Sequence, residues 1–216
     1  MKKLITKKQL DLCVAELCER DPKLRLLVTR IGPPPHWYRP PGFRTLLYLI
    51  LEQQVSLASA RAAWNKLVTR LGREPSPEAF LTLSDQQLRD AGLSRQKIHY
   101  GRTLAEAVRT RVLKLDKLQS LDDASVRESL TNIKGIGGWT ADIYMLEALR
   151  RPDIWPIGDL ALVVSAQEVF GLSQRPSAEL LEELGDGWRP WRSVAARILW
   201  HNYLSKSKRR GGDKPK

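Results

Sequence analysis

Apolar residues recur at helical spacing along almost the whole chain, and this leaves little room for any other architecture. Leu10, Val14 and Leu17 share one face of a first helix that stops before Asp21-Pro22. Leu24, Leu27, Val28 and Ile31 mark a second, closed by Gly32 and the prolines after it. The proline-rich segment Gly32 to Gly42 is expected to be extended and exposed, and it carries His36, Trp37 and Tyr38. A buried helix is predicted from about Phe43 to Gln54, and Ser56 caps the next, to about Leu71. Ser84 with Gln87 and Ser125 with Glu128 have the spacing of capping boxes, and Ser94 starts a long helix reaching Val112. Further helices are predicted over Trp139 to Leu149, Leu160 to Phe170, Ala178 to Leu184 and Trp191 to Leu204. Only Val112 to Leu118 alternates like a strand, and it is too short to seed a sheet. The expectation is an all-α chain of roughly ten helices of ordinary length, without internal repeats.

Charge narrows the class of partner. The 216 residues hold 36 Lys and Arg against 24 Asp and Glu, a formal net charge of +12. The last twelve residues carry six bases and one acid, so +7 remains on the body once this tail is set aside. A basic balance that survives loss of the tail points to a polyanion, most often nucleic acid, although a soluble basic protein without such a partner has the same composition. The longest aliphatic or aromatic run, Leu46 to Leu51, is six residues, whereas a membrane helix needs about 20. The N-terminus lacks the apolar core of a signal peptide, which favours an intracellular protein. Cys13 and Cys18 are too few for a disulfide framework, a zinc site or an iron–sulfur cluster. His36, His99 and His201 form no ligand spacing with them. The expected organisation is a helical domain over residues 1–204 and a basic, disordered tail over 205–216.

The richest stretch is Leu130-Thr131-Asn132-Ile133-Lys134-Gly135-Ile136-Gly137-Gly138-Trp139-Thr140-Ala141. A helix ends near Leu130, a glycine-rich turn follows, and a second helix starts near Gly138, a hairpin spanning about residues 123–149. Glycines at these positions allow positive φ and close backbone approach. The amides of Gly135 and Gly137 then point outward at a helix N-terminus, which favours an anion such as a DNA phosphate, while Ile136 pins the turn to the core. Lys134 and Thr140 flank the same site. An ordinary helix–helix turn is the alternative, because Gly-x-Gly alone is a weak signal. Twenty residues beyond Trp139 stands Asp159, in Trp155-Pro156-Ile157-Gly158-Asp159-Leu160. Its position before an apolar helix reads first as an N-cap. A capping carboxylate is also held rigidly by amides, as a charge-stabilising catalyst requires.

These features together resemble the helix-hairpin-helix DNA glycosylase superfamily (HhH-GPD), and within it 3-methyladenine DNA glycosylase II of the AlkA type. Leu51-Glu52-Gln53-Gln54-Val55-Ser56, Gly92-Leu93-Ser94-Arg95-Gln96-Lys97 and Trp188-Arg189-Pro190-Trp191-Arg192-Ser193 agree with it, so the likeness covers about Phe43 to Tyr203. The resemblance implies two helical subdomains with a DNA-binding cleft between them, Asp159 as the catalytic aspartate, and Gln54 as the wedge that fills the gap left by a flipped base. It implies a base pocket of Trp139 and Trp200, with Trp37, Tyr38 and Tyr144 as further candidates; Ile143 competes with Tyr144 for that face, and a core role competes for each tryptophan. It also implies a structural monovalent cation on the backbone carbonyls of Thr131, Ile133 and Ile136, and no other cofactor.

Departures from the family sharpen the expectation. Members that also nick DNA carry a lysine directly after the hairpin, where this chain has Trp139, and an indole cannot form an imine. Two cysteines cannot build the iron–sulfur cluster of the endonuclease III relatives. The chain starts with helices, so it resembles the short form without an N-terminal β-sheet domain. The implied activity is monofunctional release of alkylated bases such as 3-methyladenine and 7-methylguanine from double-stranded DNA, leaving an abasic site. The alternatives are a glycosylase for deaminated or oxidised bases, a non-catalytic DNA-binding module, or a helical scaffold for proteins. A monomer is expected, located on the nucleoid in the cytoplasm of a bacterium or in the nucleus of a eukaryote.

Overall fold

The computed structural model describes residues 5–212, with side chains as far as Lys206. Those residues form twelve helices and no strand: α1 (Lys7–Arg20), α2 (Pro22–Ile31), α3 (Phe43–Glu52), α4 (Leu57–Leu71), α5 (Pro77–Thr82), α6 (Asp85–Asp90), α7 (Arg95–Arg109), α8 (Asp123–Thr131), α9 (Gly138–Ile143), α10 (Leu160–Phe170), α11 (Ala178–Asp186) and α12 (Arg192–Gly212). None is long and apolar enough to cross a membrane. The all-α expectation holds, with more helices than the roughly ten expected; α5, at six residues, is too short to show a period.

The chain divides into two compact units, one up to Tyr38 and again from Arg150 on, the other Arg39 to Leu149. In the first unit, α12 packs against α10, α2, α1 and α11. Leu10, Leu17 and Leu24 from the first two helices, Leu162 and Ala166 from α10, and Val194, Ala195 and Leu199 from α12 are buried together as its core. In the second unit α3 is apolar on nearly every side and is buried from Leu46 to Glu52 apart from Tyr48. Helices α4, α7 and α9 pack around it. Helix α5 lies close on α7 because position 101 is glycine: a Cβ there would sit 2.7 Å from the Phe80 ring.

Four local expectations are corrected. The cap of α8 is Asp122, whose carboxylate accepts from the Ser125 amide at 2.9 Å, so Ser125 lies inside the helix and no Ser125–Glu128 box forms. Residues 112–118 turn into a 3₁₀ segment, Leu118–Ser120, instead of a strand. Helix α3 stops at Glu52, which leaves Gln54 outside it. Helix α12 continues to Gly212, so 205–212 are helical and only 213–216 of the expected disordered tail lie outside the described residues. Its continuation is anchored where Ser205 Oγ donates to the His201 carbonyl at 2.7 Å and Lys206 pairs with Glu168 on α10.

Candidate active site and nucleic-acid interface

Asp159 sits in the first unit at the N-cap of α10. Its Oδ1 accepts two N–H groups, the Leu162 amide at 2.9 Å and the Trp200 indole Nε1 at 2.9 Å. The first is the local cap that the sequence predicts. The second comes from α12, across 41 residues of chain. The segment leading to Asp159 is fixed from several sides. Arg192 holds Asp153 through Nε at 2.9 Å and Nη2 at 3.1 Å, and Ser193 Oγ accepts the Ile154 amide at 2.9 Å. Trp155 donates to the Leu181 carbonyl at 2.8 Å, and its indole fills the space that a Cβ on Gly185 would need. The carboxylate is therefore placed by packing before any substrate arrives, as electrostatic catalysis requires.

Trp200, expected in a base pocket, is only 8% exposed, and its one polar atom is engaged with Asp159. It is a holder of the carboxylate. Trp37 stands edge-on to it, with ring centroids 6.5 Å apart, and the Trp37 carbonyl accepts from the buried Arg197 at 2.6 Å. The proline-rich loop is thus tied down, and Trp37 is half-buried. Tyr38 is 47% exposed, stacked on His36, with the Arg150 guanidinium 5.4 Å from its ring centre. Asp159, Trp200, Trp37 and Tyr38 all belong to this unit.

The remaining expected residues belong to the second unit. Helices α8 and α9 form the hairpin, joined by an ion pair between Arg127 and the buried Asp142. Ile133 and Ile136 are buried and close the turn with an Ile136 N–H to Ile133 carbonyl bond of 2.9 Å. Gly135 has φ +99°, and a Cβ there would meet the Tyr100 ring at 2.3 Å, so no side chain fits. Gly137 is exposed, caps α9 without side-chain help, and faces open space. Lys134 is exposed beside it, and Trp139 is half-buried in the first turn of α9. Lys134 and Gly137 thus lie exposed at the N-terminus of α9, which has no side-chain cap. Thr140 does not share in this: it is 1% exposed and its hydroxyl accepts from Gln53.

Two more placements depart from expectation. Tyr144 is fully buried, and its hydroxyl accepts the Gly42 amide at 2.9 Å. Burial pushes its phenol up to about 12. It belongs to the core beside α3 and offers no face to a base. The helix after Ile143 widens into a π turn, Tyr144–Ala148, which shifts the helical phase that a sequence reading assumes. Gln54, by contrast, is exposed at the end of α3 with φ 57°, unusual for a residue other than glycine. The carbonyls expected to hold a cation are partly engaged, since that of Ile133 takes the Ile136 amide, while Thr131 ends α8, where helix carbonyls lack intrahelical partners. Among the described residues no group of His, Cys, Asp and Glu could hold a metal ion.

Residues that a sequence reading passes over also shape the site. Gln53 donates to the hairpin, Lys97 donates to the Leu51 carbonyl at 2.7 Å, and Arg39 pairs with Glu52 at 3.0 Å and with Glu147. Burial raises the Glu52 carboxyl against the lowering by Arg39.

Similarities to known proteins follow the same lines. The model of the HhH-GPD superfamily base excision DNA repair proteins matches residues 47–190. The alkylbase DNA glycosidase-like protein mag2 of Schizosaccharomyces pombe is 30% identical over 83% of this chain and 87% of its own length. The putative DNA-3-methyladenine glycosylase YfjP of Bacillus subtilis is 26% identical over 74% of this chain, which spans 58% of that relative. A 3-methyladenine DNA glycosylase of Schizosaccharomyces pombe, solved in complex with abasic DNA, matches at a TM-score of 0.78 and 25% identity, over 89% of this chain and 95% of that one.

Proposed function

The chain belongs to the HhH-GPD superfamily of base excision DNA repair proteins and is a DNA glycosylase of that type; from that premise we propose that it is monofunctional and removes alkylated bases from duplex DNA. The observation that carries this reading is the Asp159 carboxylate, held at an N-cap by the Leu162 amide and the Trp200 indole. A base within a duplex cannot be attacked at its glycosidic bond, so the nucleotide must leave the stack. Gln54, in its left-handed turn, fills the gap. Backbone N–H groups about Gly135 and Gly137, with Lys134, hold phosphate. A monovalent cation on the carbonyls of Thr131, Ile133 and Ile136 would add positive charge there.

Alkylated purines often carry a positive charge, which an indole face attracts by about 0.5–2 kcal/mol. Trp139 and Trp37 supply such faces, and Tyr38 supplies a phenol ring. The bond between C1′ and the base nitrogen breaks, and its electron pair leaves with the base. Asp159 stabilises the oxocarbenium-like sugar and accepts a proton from the water that adds to C1′. Trp139 stands where a Schiff-base lysine would, so strand cleavage through that position does not occur. The protein works as a monomer on the cell's own DNA, in the nucleoid or nucleus.

The test incubates the protein and Asp159→Asn with methylated duplex DNA and separates released bases by chromatography. An asparagine Oδ1 can accept the same two N–H bonds, so the variant keeps its fold and its DNA binding. Free 3-methyladenine or 7-methylguanine from the unaltered protein alone, with strands left intact until alkali, is the expected result. Equal release by the variant removes Asp159 from the chemistry, and release by neither, with tight binding, shifts the reading to another lesion or to binding alone.

A further inference from the structure

The turn that carries Gln54 and the glycine turn of the hairpin are joined by a single side chain. Gln53 Nε2 donates to the Gly135 carbonyl at 2.9 Å and to Thr140 Oγ1 at 3.0 Å, which uses both of its N–H groups. Gly135 lies in the phosphate-facing turn, and Thr140 lies in the first turn of α9. The next residue, Gln54, adopts φ 57°. A non-glycine residue is strained in that conformation and keeps it only where its neighbours over-determine it. Lys97 from α7 holds the Leu51 carbonyl at 2.7 Å, two residues before Gln53, and Gln53 is held by the hairpin. The hairpin turn itself cannot shift toward α7, because Gly135 already lies against the Tyr100 ring.

We propose that Gln53 is a positioning residue that couples the hairpin's hold on the DNA backbone to the setting of the Gln54 turn, and so governs base flipping instead of DNA affinity. The inference rests on the glycosylase reading and on Gln54 as the wedge. Without the two donors, the backbone at Gln54 relaxes toward the ordinary right-handed region and the side chain leaves its place. Phosphate contacts at the glycine turn stay in place, because Ile133 and Ile136 remain buried and the Arg127–Asp142 pair still joins the helices.

The experiment uses Gln53→Met, which keeps length and shape without a donor, and Thr140→Val, which removes one of the two acceptors. Duplexes carry one 7-methylguanine, either paired with cytosine or opposite a mismatched thymine. Single-turnover release is measured at saturating enzyme, alongside affinity for undamaged duplex. For the paired lesion, Gln53→Met is expected to release base about tenfold more slowly, the factor that 1.36 kcal/mol produces and near the net value of one hydrogen bond. Thr140→Val shows a smaller fall, and affinity changes less than about twofold for either variant, since phosphate contacts supply most of it. Opposite the mismatch, where unpairing costs less, most of the defect disappears. A purely structural role predicts the same defect on both duplexes, so an equal loss on both, or no loss at saturation, overturns the proposal. If the unaltered protein releases no methylated base, the underlying reading falls and takes this inference with it; a normal unaltered protein with a normal Gln53→Met variant overturns the inference alone.

Discussion

Trp200→Phe isolates one hydrogen bond at the Asp159 carboxylate. Phenylalanine keeps most of the buried ring, since Trp200 is 8% exposed and packs edge-on against Trp37, but it has no N–H for Asp159 Oδ1. A hydrogen bond to a charged acceptor is worth about 1.5–3 kcal/mol. The Leu162 amide still addresses Oδ1, so the carboxylate stays near its place with one donor lost. If the whole difference falls on the transition state, release slows by about 10- to 100-fold, at 1.36 kcal/mol per decade. The smaller ring also leaves a gap costing about 1 kcal/mol of stability. The assay is single-turnover release of a methylated base at saturating enzyme, with thermal unfolding measured on the same sample. The expected pattern is a slowed chemical step, a modestly lower Tm and unchanged affinity for duplex. A rate within about twofold of normal, in a sample where Asp159→Asn is inactive, refutes the claim that the indole N–H positions the carboxylate.

Gly135 and Gly137 of the hairpin should behave in opposite ways. Gly135→Ala places a Cβ 2.3 Å from the Tyr100 ring at φ +99°; combined strain and overpacking of about 2–4 kcal/mol should lower the Tm and show in denaturant unfolding. Gly137→Ala enters open space at φ −88°, so unfolding should shift by less than about 0.5 kcal/mol while duplex affinity falls, read by fluorescence anisotropy. The Asp122 carboxyl is held down to about 2 by the Ser125 hydroxyl and amide. Its folded value lies below the ordinary one of 3.8, so its stabilisation is complete above that value and is lost as pH falls toward 2. Asp122→Ala should accordingly flatten the acid limb of unfolding midpoint against pH between those values; an unchanged limb argues against the cap.

What was legible in the sequence is what lies within one turn of helix. The caps at Ser56, Ser84 and Ser94, the glycine turn and the Asp159 cap each depend on residues three or four apart, and all are present. Even there, the Ser125–Glu128 spacing misplaces the start of α8: the Asp122 carboxylate, three residues earlier, caps it by bonding both the amide and the hydroxyl of Ser125. Phase failed at Tyr144, where the amide of Leu149 reaches back five residues to the Tyr144 carbonyl and one extra residue enters the turn. A period of 3.6 carried through that point assigns the wrong face. The partnership of Trp200 with Asp159 was illegible because 41 residues separate them, and a tryptophan in an apolar helix reads equally as core or pocket.

The motifs that first suggested the family act mostly as fasteners of two turns. Lys97 of the Gly92–Lys97 stretch ties the end of α3, and Gln53 of the Leu51–Ser56 stretch ties the hairpin, so these stretches together set the exposed, left-handed Gln54. In the Trp188–Ser193 stretch, Trp188 donates to Asp21 at 2.8 Å, Arg192 holds Asp153 and Ser193 holds Ile154, which fixes the approach to Asp159. The polar residues of these motifs are consumed by protein partners, leaving few groups for a substrate. Holding a reactive geometry within a fraction of an ångström demands such a supporting shell, and its residues are constrained as tightly as the reacting ones. A signature of positioning residues therefore says more about a chain like this than the proposed catalytic aspartate, Asp159, which taken alone is one more helix cap.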